Sequence, residues 1–321
     1  MITEAKGLGY TICKGYPDRD IDVVGGRYRA GFYNKGQIDE SLRDCMPGSF
    51  AFEEQGIADQ RIDKVSLPFG EHRKPVIDAL RAIIGYQIFN HNIPTSAGLD
   101  IGCGSLGSMV EDLMPIRESD KLTWTQIDVN QDAVEENRRR HPFSNISKGS
   151  YLNLGLRDCL PLVTGLSSLD STAFIDRAVQ QVRDALVEGG FFLHVQDVGP
   201  CIWGPFQEMV SMGEKFPYNV EMNPSMCPNG QIDESDALHN IAMYHSKEGV
   251  LSVVELFRRR IGRAISSTPG MKLLENDWFT AIGLSKSRED ACFYNSGYLD
   301  QSSNPNLQVV SAVVTLAKKS E

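Results

Sequence analysis

The residues best suited to chemistry gather around one short run, "LDIGCGSLGS", Leu99 to Ser108. An apolar stretch ends there in a glycine-rich turn, and Gly102, Gly104 and Gly107 fit G-x-G-x-x-G. Such a turn lets a ligand approach the backbone where a strand passes into a helix, but many nucleotide folds share it. Asp128 ends the next apolar run, "LTWTQIDV", where a carboxylate can accept hydrogen bonds from two ribose hydroxyls. Asp100, two positions before the first glycine, discriminates between ligands. Two like unit charges about 5 Å apart repel by roughly 3 kcal/mol at an effective dielectric near 20, and a cation is attracted by a similar amount. A pyrophosphate is therefore disfavoured beside Asp100, and an adenosyl ligand carrying an ammonium or a sulfonium is favoured.

The elements that hold this turn follow from periodicity. "KPVIDALRAIIGYQIFN" predicts a helix, with Pro75 at its start and Val76, Ile77, Leu80, Ile84 and Ile88 on one face. From Ala97 strand and helix signals alternate. "AGLDIG", "LTWTQIDV", "SNISKGSY", "CLPLVTGLSS" and "FFLHVQDV" read as five strands. "SMVEDLMPI", shortened by Pro115, "QDAVEENRRR" and "TAFIDRAVQQVRDALVEGG" read as helices, the last closed by Gly189 and Gly190. This rhythm predicts a mostly parallel α/β sheet, Rossmann-like, with helices on both faces. Near the C-terminus a helix in "LSVVELFRRRIGRAI" precedes two strands, "MKLLENDWFTAIGL" and "LQVVSAVVTLAKK". Two strands after one helix imply a closing hairpin, so the sheet is expected to have seven strands with an antiparallel last one. Residues 1–95 are expected to form an N-terminal helical and irregular cover, 96–200 the ligand-binding core, 201–250 an insert and 251–321 the closing hairpin.

The sequence is similar to the class I S-adenosylmethionine-dependent methyltransferases over about residues 96–200. "LDIGCGSLGS" resembles the family's first motif, "TQIDVN" its acidic ribose-binding strand end, and "ALVEGGFFLHVQD" its helix, glycine pair and fifth strand. The resemblance implies S-adenosyl-L-methionine as cofactor. Gly102, Cys103 and Gly104 would pack under its methionine part, and Asp100 would hold its amino group directly or through water. Asp128, with the adjacent Val129, would bind the ribose. The chain departs from the family after the third strand, where "KGSYLN" offers Ser150 or Tyr151 for the adenine in place of an acidic residue. "TGLSSLDS" lacks the Asn-Pro-Pro-Tyr-like signature of members acting on amide or base nitrogens, and Asp170 falls where some small-molecule members carry a histidine.

Ligands of open α/β sheets lie beyond the carboxyl ends of the strands, which puts Ser167, Ser168, Asp170, Gln196 and Asp197 at the mouth. Asp170 and Asp197 are the candidate catalytic bases; an N-cap role for Asp170 and a loop-ordering bond for Asp197 are the structural alternatives. His194 lies within a strand and is read as a packed core histidine. The other histidines show no ligand spacing, so no metal is expected. The insert carries five of the ten methionines, with Trp203, Phe206 and Met209 as candidate substrate contacts in a lid over an apolar acceptor. The alternative is a small core of its own. Arg138 to Arg140 and Arg258 to Arg260 read as solvated helix ends.

The whole chain narrows the partners. Net charge is −10, which speaks against nucleic acid or an anionic membrane. Seven cysteines with no C-x-x-C pair suggest a reduced, cytoplasmic setting. The N-terminus lacks the long apolar core of a signal peptide, and no 18-residue uncharged apolar stretch occurs. The expected activity is methyl transfer to an oxygen or nitrogen of a small organic molecule. An NAD-dependent oxidoreductase, an RNA methyltransferase and a non-catalytic interaction protein of the same fold are the rival readings.

Overall fold

The computed structural model describes residues 2–5, 9–14, 20–23, 26–29, 74–104, 109–129, 131–169, 175–197, 258–284 and 307–320. Helix α1 (Lys74–His91) precedes strand β5 (Gly98–Ile101), which is buried throughout. Strands β6 (Trp124–Asp128), β7 (Asn145–Lys148), β8 (Leu160–Leu166) and β9 (Leu186–Asp197) follow, with helix α2 (Gln131–Arg140) between β6 and β7 and helix α3 (Ile175–Ala185) between β8 and β9. Residues 258–267 form helix α4, and β10 (Met271–Leu284) and β11 (Leu307–Lys319) close the fold.

Parallel pairing joins β7 to β6, β6 to β5, β5 to β8 and β8 to β9. The chain's last strand, β11, then enters antiparallel between β9 and β10. The fold is Rossmann-like and doubly wound. It differs from the all-parallel dinucleotide order by that inserted antiparallel strand. Among the described residues nine strands form the sheet where seven are expected: β1 (Ile2–Ala5) and β2 (Tyr10–Lys14) form a hairpin whose second strand pairs with β10. That part of the expected cover is thus an extension of the sheet edge. Strands β3 (Asp20–Val23) and β4 (Gly26–Arg29) make a separate hairpin.

Both faces of the sheet are covered, as parallel pairing requires. Ala79, Leu80, Ile83 and Ile84 of α1 pack with Trp124, Leu193, Val195 and Phe279 on one face. Ala178, Val179 and Val182 of α3 and Ile261 and Ile265 of α4 pack with Leu99, Val163 and Phe192 on the other. Leu162 and Val163, adjacent in β8, serve opposite faces because strand side chains alternate.

Two local expectations are corrected. "SMVEDLMPI" gives one π-helical turn, Met109–Leu113, closed by a Met114 N–H to Met109 carbonyl bond of 2.8 Å, with Pro115 next in sequence. Helix α3 ends at Ala185, before the glycine pair, because Leu186 already pairs with Leu160. The register slips between Leu160 and Leu162, and Gly189, at φ 75°, lies within the offset stretch.

Candidate functional site

Strand β5 is the point at which the winding reverses, β6 lying on one side of it and β8 on the other. Ligands of such sheets bind beyond the carboxyl ends of the strands at this switch. The glycine turn leaves β5 there. Gly102 and Gly104 adopt φ of 66° and 58°, values that side chains with a Cβ rarely take. A Cβ on Gly102 would meet Ser168 Cβ at 2.4 Å, so glycine is also needed for the turn to pass the loop after β8.

The turn is held by its neighbours. The Cys103 N–H donates to the Ile127 carbonyl at 3.0 Å, and the Gly104 N–H donates to Asp128 Oδ2 at 2.8 Å. Asn137 Nδ2 donates to the Gly104 carbonyl at 3.0 Å. Five residues further on, the Met109 N–H donates to Asp100 Oδ2 at 3.1 Å, and the Val110 N–H bonds the same carboxyl group. Thr164 Oγ1 donates to Asp100 Oδ1 at 3.0 Å.

Asp100 is 1% exposed, and burial pushes its pKa up to about 7 against the lowering effect of these hydrogen bonds. The Asp128 carboxylate adds to the rise. Burial, with both carboxylates nearby, pushes the Cys103 thiol far above its ordinary range, so it is no nucleophile at neutral pH. The glycine turn therefore sits between two carboxyl groups, one of them only half ionised at neutral pH.

The loop after β8 is gripped from three sides. Ser167 adopts φ 47° and its N–H donates to the Val195 carbonyl at 2.9 Å. Tyr151 Oη donates to the Ser168 carbonyl at 3.1 Å, and the Leu169 N–H donates to His194 Nε2 at 3.4 Å. His194 is fully buried, its pKa lowered to about 3 by that burial, and it is a neutral core histidine as read from its place in a strand.

The structure thus brings together Asp100, Gly102, Cys103, Gly104, Asp128, Tyr151 and Ser167 at one end of the sheet. Ser150 follows β7, where its Oγ accepts from the Leu152 N–H at 3.1 Å, and Val129 is half-buried after Asp128. The Asp100 carboxyl group accepts from Thr164 and from the Met109 and Val110 amides. Asp170, Trp203, Phe206 and Met209 lie outside the described residues, as does the side chain of Asp197, whose backbone ends β9. Among the described residues no cluster of histidine, cysteine and acidic side chains is arranged to hold a metal.

Sequence reasoning missed Thr164 and Asn137. Thr164 is paired with Asp100 across β5 and β8, a register that one strand alone does not reveal. Asn137 carried a signal: it stands three positions after Val134, on the buried face of α2.

No protein-family model matches the chain, and no curated protein is similar to it. Several solved structures are similar in chain path. A SAM-dependent methyltransferase from Thermotoga maritima, described as a possible histamine N-methyltransferase, is 13% identical with a TM-score of 0.39, covering 83% of this chain and 98% of that one. The plantazolicin methyltransferase in complex with SAH is 14% identical with a TM-score of 0.44, covering 89% and 100%. The putative methyltransferase bound to the Trm112 activator of Haloferax volcanii is 12% identical with a TM-score of 0.39, covering 83% and 96%. At this similarity none of them assigns an activity to this chain.

Proposed function

We propose that this chain is a class I S-adenosylmethionine-dependent methyltransferase acting on an oxygen or nitrogen of a small organic molecule. One observation carries the cofactor reading. In a dinucleotide fold the amides of the glycine turn and of the following helix cradle the pyrophosphate. Here the Gly104 amide is taken by Asp128, and the Met109 and Val110 amides by Asp100. These three amides are engaged by internal carboxyl groups rather than offered to an external anion. A ligand bearing an ammonium and a sulfonium instead meets negative charge. That favours S-adenosylmethionine over a nicotinamide dinucleotide.

When bound, this cofactor supplies an already activated methyl group. The chain's own tasks are to hold its charged end over Asp100 and its ribose at Asp128, to align the acceptor and to keep water out. Where the acceptor begins protonated, Asp170 or Asp197 takes the proton as general base. His194 does not, being inside the core and a very weak base. The methionine-rich 201–250 segment serves as the acceptor's lid, and the protein works in the cytoplasm without nucleic acid or membrane. Net charge supports the absence of an RNA substrate.

Isothermal titration with S-adenosylhomocysteine tests the cofactor reading: binding is expected, and its absence up to millimolar ligand refutes it. Asp170→Asn and Asp197→Asn are expected to keep that binding, and at least one to lose turnover once an acceptor is in hand. Should both retain full turnover, neither is the base.

A further inference from the structure

Helix α2 presents Ala133, Val134 and Asn137 as its buried positions. An asparagine there is unexpected on local grounds. It is a poorer helix former than alanine or leucine, and burying its amide costs free energy unless the amide is bonded. Its partners lie in the glycine turn: the Gly104 carbonyl, at 3.0 Å, and the Cys103 thiol. The other end of Gly104, its N–H, is bonded to Asp128 Oδ2. The helix after β6, the turn after β5 and the carboxylate at the end of β6 are thereby linked through one residue.

We infer that Asn137 is a positioning residue of the cofactor site: by holding the Gly104 carbonyl it fixes the Gly104 N–H that orients the Asp128 carboxylate. The side-chain amide of Asn137 is directed to Gly104 and Cys103. It acts through Gly104 on the group that receives the ribose, so this inference rests on the adenosyl-ligand reading. An apolar residue of the same size would pack beside Val134 but leave the Gly104 carbonyl without this donor and the Gly104 N–H less firmly held against Asp128.

The test compares Asn137→Asp, which keeps the shape but loses the donor, with Val134→Ala, which loosens the same helix and leaves the bond intact. Asn137→Leu, a better helix former, replaces the aspartate variant should that one not fold. Titration with S-adenosylhomocysteine is expected to show affinity about tenfold lower or worse for the Asn137 variant and within about twofold of wild type for Val134→Ala, although both melt earlier. Equal affinity of the Asn137 variant and wild type overturns the inference and leaves the cofactor reading standing. Absence of wild-type binding overturns the cofactor reading instead. Hydrogen exchange of the ligand-free protein then decides the positioning role by itself: faster exchange at residues 99–104 in the Asn137 variant, but not in Val134→Ala, upholds it, and unchanged exchange overturns it.

Discussion

Asp100 makes the charge of the ligand measurable as a proton count. Its pKa of about 7 leaves the group about half protonated at pH 7. A sulfonium or ammonium bound nearby favours the ionised form and pulls that pKa down, so binding releases about half a proton at pH 7 and roughly 0.9 at pH 6. Affinity follows the ionised fraction of the free protein, which rises from about a tenth to about a half between pH 6 and 7. The expected gain is roughly fivefold, about 1 kcal/mol. A diphosphate has the opposite sign: it raises the pKa, and protons are taken up. Titration of S-adenosylhomocysteine in two buffers of different ionisation heat reads the number directly, and Asp100→Asn should abolish the linkage. Binding accompanied by proton uptake, or release that survives in Asp100→Asn, refutes the reasoning.

The same group makes the stability of the ligand-free protein depend on pH. A carboxyl whose folded pKa lies above its ordinary value of 3.8 holds its proton more tightly when folded, so stability falls as pH rises from the lower value through the upper. Thermal or urea unfolding should show a loss of roughly 3 kcal/mol from this group between pH 5 and 8, absent in Asp100→Asn. Asp128→Ala is expected to weaken S-adenosylhomocysteine binding by about 1–3 kcal/mol, through lost charge-assisted bonds and a released Gly104 amide; unchanged affinity excludes Asp128 from the site. Gly102→Ala should destabilise the fold by about 2–4 kcal/mol, because the new Cβ meets Ser168 and the φ of 66° is unfavourable for it. A melting temperature equal to wild type would mean that the two loops are not in contact. His194, neutral and buried, should give ring resonances that do not move between pH 5 and 8 in NMR spectra.

Much of this molecule is written locally. The strand–helix alternation, the glycine turn between Asp100 and Asp128 and the antiparallel closing strand are all legible. Side-chain period and turn chemistry depend only on near neighbours in the chain. The amphipathic face of α1 is legible for the same reason, with Leu80 and Ile84 buried and Ile77 and Ile88 packed against the core; the Val76 side chain lies outside the described residues. Less legible were the elements whose length is set by pairing: α3 gives way at Leu186 to a strand because β8 is there to receive it. Likewise the first residues join the sheet because β10 offers an open edge, which no pattern within 2–14 announces.

The sequence by itself determined that a carboxyl group stands beside a glycine crossing, since identity and spacing along the chain are enough for that. Only the tertiary structure decided what the carboxyl does. Strand register set Thr164 beside Asp100, the turn laid the Met109 and Val110 amides against it, and burial moved its pKa to about 7. Desolvation and hydrogen bonding depend on groups brought together from distant parts of the chain, and those meetings exist only once the sheet has formed.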